Sequence, residues 1–98
     1  NRLEMIESHY IIKEKRVSFL DRIDIIDEEI DYNTKTLPIQ KRIDFHEKII
    51  SRVYYFETSI GIIDTNNIIK EKLDNIEMTL YGNINDKSIY ERIKSINI

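Results

Sequence analysis

Apolar residues recur along this chain at steps of three and four, and no other feature constrains its folding as tightly. Ile69, Leu73, Ile76 and Leu80 share one side of a helix. Ile39, Ile43, Ile50, Val53 and Ile60 do the same further back, flanked by Phe45, Ile49, Tyr54 and Phe56. The chain carries 22 Ile and no Ala among 98 residues, so β-branched content is high. That content would suggest strands, but the spacing is helical, and periodicity outranks propensity. Ile, Asn, Lys, Asp, Tyr and Phe use AT-rich codons, so the isoleucine excess reads as the mark of an AT-rich genome and not as a strand signal.

One proline and two glycines punctuate the pattern. From Met5 to Ile30 a heptad-like seam runs through Met5, Ile12, Phe19, Ile23, Ile26 and Ile30, with His9 and Arg16 in its gaps. A second stripe, Leu3, Ile6, Tyr10 and Val17, lies roughly opposite. These stripes predict one long helix over 2–33, apolar on two faces. The segment from Asp31 to Pro38 breaks the pattern. Pro38 suits a first helical turn, and Thr36 is the expected cap. A second helix is expected over 38–60, ended by Gly61, and a turn with several N-cap candidates at Asp64 to Asn67. A third is expected over 66–81, with Gly82 in the left-handed position after it. A fourth is expected over 87–96, capped by Asp86, with Ile89, Ile93 and Ile96 on one side. The fold class is therefore all-α. It is an antiparallel, coiled-coil-like hairpin with two shorter helices packed on it, forming one domain over 1–98. No internal repeat and no low-complexity tract is discerned.

The composition narrows the function classes. Hydrophobic residues make up 41% and charged residues 34%, a bundle-forming balance too apolar for disorder. Cysteine is absent, so there is no thiolate or disulfide chemistry, and a cytoplasmic or other intracellular reducing compartment is expected. Apolar runs are short, Val53 to Phe56 among them, so no membrane span is expected. No signal peptide is discerned. A first residue of Asn, not Met, is expected of an excised or processed chain. The net charge is −3 with both signs interspersed, which offers no field for a polyanion.

No constellation calls for catalysis, a cofactor or a metal. Asp21, Asp24, Glu28 and Asp31 share one side of the first helix. Without a Gly-centred loop and with Arg22 nearby, they read as a solvated face and not as a cation site. His46 sits between Ile43 and Ile50 on an apolar face. Ile43, not Glu, stands three residues before it, and His46-Glu47 is followed by Lys-Ile-Ile, so neither helical metal motif is present. A register-fixing polar residue is the simpler reading of His46, as it is of His9, Arg16 and Glu57. Arg16 and Glu57 would oppose each other across an antiparallel hairpin, so an ion pair is expected there. Lys13, Lys15 and Arg16 are surrounded by Glu4, Glu7 and Glu14, which argues against nucleic acid.

The expected function is then non-enzymatic: protein–protein interaction or oligomerisation through apolar helix faces, as a homo-oligomer or as a subunit of an assembly. The expected interface comprises Leu3, Ile6, Tyr10 and Val17 on the first helix with Tyr54, Tyr55 and Phe56 on the second. Three adjacent aromatics cannot all face one core, and tyrosine favours interfaces. One alternative is a helix-turn-helix-like transcriptional regulator. Residues 82–94, with Lys87, Ser88, Tyr90, Arg92 and Lys94, would form its recognition segment.

Overall fold

The computed structural model describes all residues, 1–98. It has five helices: α1 (Arg2–Glu7), α2 (Phe19–Ile30), α3 (Ile39–Ile60), α4 (Ile69–Tyr81) and α5 (Ile89–Ser95). They pack as a small all-helical bundle around one apolar core of 16 buried residues.

The expected helix over 2–33 is two helices. Residues 8–18 between them are irregular. Steps of seven from Met5 to Ile12 to Phe19 keep no apolar partner three or four residues on, so a helix there would bury nothing continuous. The first half of the seam fails accordingly: Met5 is 70% and Phe19 42% exposed, and Val17 on the other stripe is 97% exposed, whereas Ile23, Ile26 and Ile30 are fully buried. The restart is written locally. Ser18 takes extended backbone at the N-cap, and its hydroxyl accepts the backbone N–H of Asp21.

The α2–α3 hairpin is antiparallel, with its turn in 31–38. Asp31 closes α2 in the left-handed conformation (φ 57°). Pro38, not Thr36, occupies the N-cap position of α3, and no side chain caps that end. At the other end Gly61 adopts φ 77°. Asp64 and Asn66 make successive side-chain turns onto the N–H groups two residues on, and α4 starts only at Ile69. Gly82 (φ 73°) closes α4 as expected. The cap of α5 is Ser88 rather than Asp86, and the helix begins at Ile89.

Residue contacts show a register that the apolar pattern conceals. Arg42 reaches back to Asp24 and Asp27, 18 and 15 residues earlier. Arg92 reaches back to Asp74 and Glu77, again 18 and 15 residues earlier. Arg22 pairs with Glu7, and Lys72 with Glu57, each 15 residues apart. Every member of the first set stands 50 positions before its counterpart. Laid on that register, Arg2/Arg52, Glu7/Glu57, Ile12/Ile62, Asp24/Asp74 and Ile26/Ile76 are identical pairs. So are Asn33/Asn83, Ile39/Ile89, Arg42/Arg92 and Ile43/Ile93. The chain is therefore two helical units, 1–48 and 51–98, and the expectation of no internal repeat is overturned.

The units share α3. Its first half plays in unit one the part that α5 plays in unit two, and its second half corresponds to α1. Counterparts are buried together: Leu3 with Val53, Ile6 with Phe56, Ile23 with Leu73, Ile26 with Ile76, Ile43 with Ile93. Principal extents of 40 × 25 × 21 Å fit a side-by-side pair with a continuous core.

Candidate interaction site

Most strongly polar interior groups are committed to holding each unit together. In unit one Arg42, 4% exposed, donates from Nη2 to Asp24 (2.8 Å) and Asp27 (2.9 Å), and from Nε to the Thr34 hydroxyl (2.9 Å). Asp27 also accepts the Thr34 N–H (2.9 Å) and hydroxyl (2.8 Å). His46 places Nε2 at 2.7 Å from the same carboxylate. Burial acts to raise the Asp27 pKa, but the donors from Thr34, His46 and Arg42 outweigh it and hold the carboxyl below its ordinary range. Burial depresses the His46 pKa, against the pull of Asp27. A neutral imidazole donating from Nε2 leaves its buried Nδ1 without a partner. In unit two Arg92 binds Asp74 (2.7 Å) and Glu77 (2.6 Å), while Glu77 accepts the Asn85 N–H (3.1 Å). Ile96 stands where unit one has His46.

The structure places several of the residues singled out from the sequence. His46 is fully buried on α3, with Asp27 as its polar neighbour. Asp24 belongs to the Arg42 node and not to a free acidic stripe, and no cluster of three or more ligand-type side chains is placed to hold a metal ion. The expected Arg16–Glu57 pair does not form. Arg16 sits in the irregular segment and pairs with Glu14, whereas Glu57 faces α4 and takes Lys72 at 2.9 Å. His9 is a joint residue: its Nδ1 lies 2.9 Å from the Asn67 carbonyl, and its own carbonyl accepts the Ile69 N–H at 2.9 Å. Arg92, counted as a DNA-facing residue in the helix-turn-helix alternative, is 3% exposed and spent on ion pairs, and the Lys94 ammonium lies over Tyr90.

The expected interface divides. Leu3, Ile6, Tyr10 and Phe56 lie inside the chain's own core and face no partner. The reason is the break after α1, which turns that short helix inward. Val17, Tyr54 and Tyr55 are exposed, Tyr54 at 67%. Tyr54 borders a groove of about 430 Å³ between α3 and the 61–68 connection. His9, Ile50, Ile62 and Ile63 line it, and the Glu57–Lys72 pair closes one side. Ile63 is 99% exposed at its rim. The sequence reading missed this groove because Ile62 and Ile63 lie in a connection with no periodicity to mark them.

The joint between units is aromatic and backbone-mediated. Tyr32 stacks on Phe45 (centroids 4.9 Å apart) and meets Tyr90 of unit two at 4.2 Å. No helix is long and apolar enough to cross a membrane. Comparison of the chain with protein-family models, with curated proteins and with solved structures gave no match.

Proposed function

We propose that this chain is a non-enzymatic protein-interaction module: a helical-repeat scaffold whose side chains hold its shape while exposed apolar residues engage a protein partner. The Tyr54–Ile63 groove carries the reading. Its floor is ordered by α3 and by the Glu57–Lys72 pair, yet its rim presents large apolar groups to water. Such groups are the anchors that partner surfaces use. The interior polar groups, by contrast, are engaged with one another and stabilise the helix crossings. An intracellular reducing setting suits a scaffold that relies on packing and ion pairs, with no cysteine among its residues.

Photo-crosslinking from Tyr54, replaced by a photoreactive phenylalanine analogue, tests this directly. Crosslinks to a discrete protein that disappear on Ile63→Asp support the reading. Crosslinks indistinguishable from those of a probe at exposed Glu29 would overturn it.

A further inference from the structure

The connection from α1 to α2 is held differently from the others. In the 31–38 turn Asp27 accepts the Thr34 N–H, and the Thr34 carbonyl accepts from Leu37. In 61–68 Asp64 and Asn66 accept the N–H groups two residues on. In 82–88 the Asn85 and Lys87 N–H groups are bound by Glu77 and Asn85. From Ile11 to Val17, by contrast, no main-chain N–H or carbonyl is hydrogen-bonded to any part of the chain. The repeat gives the reason. Glu14 and Arg16 stand where unit two has Asp64 and Asn66. Glutamate is one methylene too long for the side-chain turn that Asp64 makes, and a guanidinium has no acceptor.

The same segment is basic. Outside the helices the basic side chains are Lys13, Lys15, Arg16, Lys35 and Lys87. The Lys35 and Lys87 N–H groups are each bound by an asparagine two residues earlier. Lys13, Glu14, Lys15 and Val17 are exposed, and only Ile12 leans on the core. The Arg16–Glu14 ion pair is open to solvent on its Glu14 side and holds Arg16 weakly. An endoprotease selective for basic residues needs exposed main chain that it can draw into its cleft, and a cation free to enter an acidic pocket. Residues 13–17 meet both demands without the loss of one main-chain hydrogen bond.

We propose that this connection is a processing site, at which an endoprotease selective for basic residues hydrolyses the Arg16–Val17 bond and frees α1. Water adds across the amide. Its oxygen goes to the Arg16 carbonyl carbon, which becomes a carboxylate, and its protons end on the Val17 nitrogen, which becomes an ammonium. The cut severs the covalent tie of α1 to the rest of the chain. What remains is Leu3, Ile6 and Tyr10 in the core, Arg2 with Asp44 and Glu47, Glu7 with Arg22, and the His9 carbonyl with the Ile69 N–H. A six-residue helix has no stability of its own, and so few buried side chains do not bind tightly once the tether is gone. The freed segment carries His9, one wall of the Tyr54 groove, so processing opens that groove. This last consequence rests on the interaction reading; the cut itself does not.

Limited digestion of the full chain with trypsin, followed by intact mass, tests the site. The first products should be 1–16 and 17–98, ahead of any cut beyond residue 17. A variant carrying Lys13→Gln, Lys15→Gln and Arg16→Gln, all outside the helices, should survive at least about 10-fold longer, because its next cuts need a turn or helix to open. First cuts after Lys35, Lys87 or a helical residue, or a triple variant digested as fast as the wild type, overturn the site. Size exclusion of the quenched digest at about 1 µM reads the release: 17–98 should elute without 1–16. Co-elution that dilution does not diminish overturns the freeing of α1. Both readouts need no partner, so a failed digest leaves the Tyr54 crosslinking result standing, and a failed crosslink leaves the cut standing.

Discussion

Replacing Asp27 by Asn removes one charge from the centre of the unit-one node and should be among the most damaging single changes available. The carboxylate accepts from the Thr34 N–H, the Thr34 hydroxyl and Arg42, with His46 also at its edge. An amide of the same shape offers only one oxygen and turns an NH2 group toward donors. Arg42, 4% exposed, keeps only the partly exposed Asp24 as a charged partner. Breaking a buried pair in this way costs about 3–5 kcal/mol. A domain of this size has about 5–15 kcal/mol to lose. With a urea dependence of about 1–3 kcal/mol per molar, the unfolding midpoint should fall by about 2 M. Urea titration followed by circular dichroism at pH 7.5 measures it. The double variant Asp27→Leu/Arg42→Met should recover only the part of the loss that comes from the stranded cation, because leucine still leaves the buried Thr34 and His46 donors unpaired. A single-variant loss under about 1 kcal/mol would show that Asp24 and water carry the Arg42 charge unaided, and would refute the node as a stabilising centre.

Other outcomes follow from the same geometry. Phe56→Ala empties the largest fully buried side chain at the shared helix and should cost about 3–5 kcal/mol in the same titration. The folded pKa of His46 lies below its ordinary value of 6.5, so the native state takes up fewer protons than the unfolded chain. Stability should therefore be full above pH 6.5 and decline as pH falls through and below it. His46→Ile, the residue unit two uses at Ile96, should flatten that decline between pH 7.5 and 5.5. Asp27 acts in a lower window: its depressed pKa contributes stability above 3.8 that is lost on further acidification. Gly82→Ala meets no atom within 4 Å but imposes a left-handed backbone on alanine, so it should cost about 1–2 kcal/mol through φ alone.

The stripe of α4 was legible because its apolar residues fall at unbroken three- and four-residue steps, and the extent of α3 because Pro38 and Gly61 bracket a stripe in which only His46 and Glu57 interrupt the apolar positions. The two glycine stops were legible for a related reason: a chain with so few glycines places each where a left-handed residue is needed. The break after Glu7 was not read, since seven-residue steps imitate a seam while omitting the intermediate positions that a real one fills. Ser18 with Asp21 was the local signal against it. The repeat escaped for a different reason. Its units agree in what each position does more than in its residue: Asp27 answers Glu77, Arg22 answers Lys72, Ile23 answers Leu73. The boundary between the units also falls inside α3, so helix-by-helix reading cuts the chain where the repeat does not. His46 was legible as a polar residue on an apolar face, but Asp27 was not foreseen as its partner. The Arg16–Glu57 pairing failed because it assumed a straight helix through residue 16.

The 22-residue α3 has a mechanical meaning. A linker would let one unit swing or melt while the other stood. A single hydrogen-bonded rod common to both lets neither happen alone, because fraying unit one from Ile39 inward strips cover from the residues on which α4 and α5 rest. The amides of α3 should accordingly be among the slowest to exchange and should open with the whole molecule, so that the two units melt in one transition. Torque applied to one unit would pass to the other through that rod undiminished by any hinge.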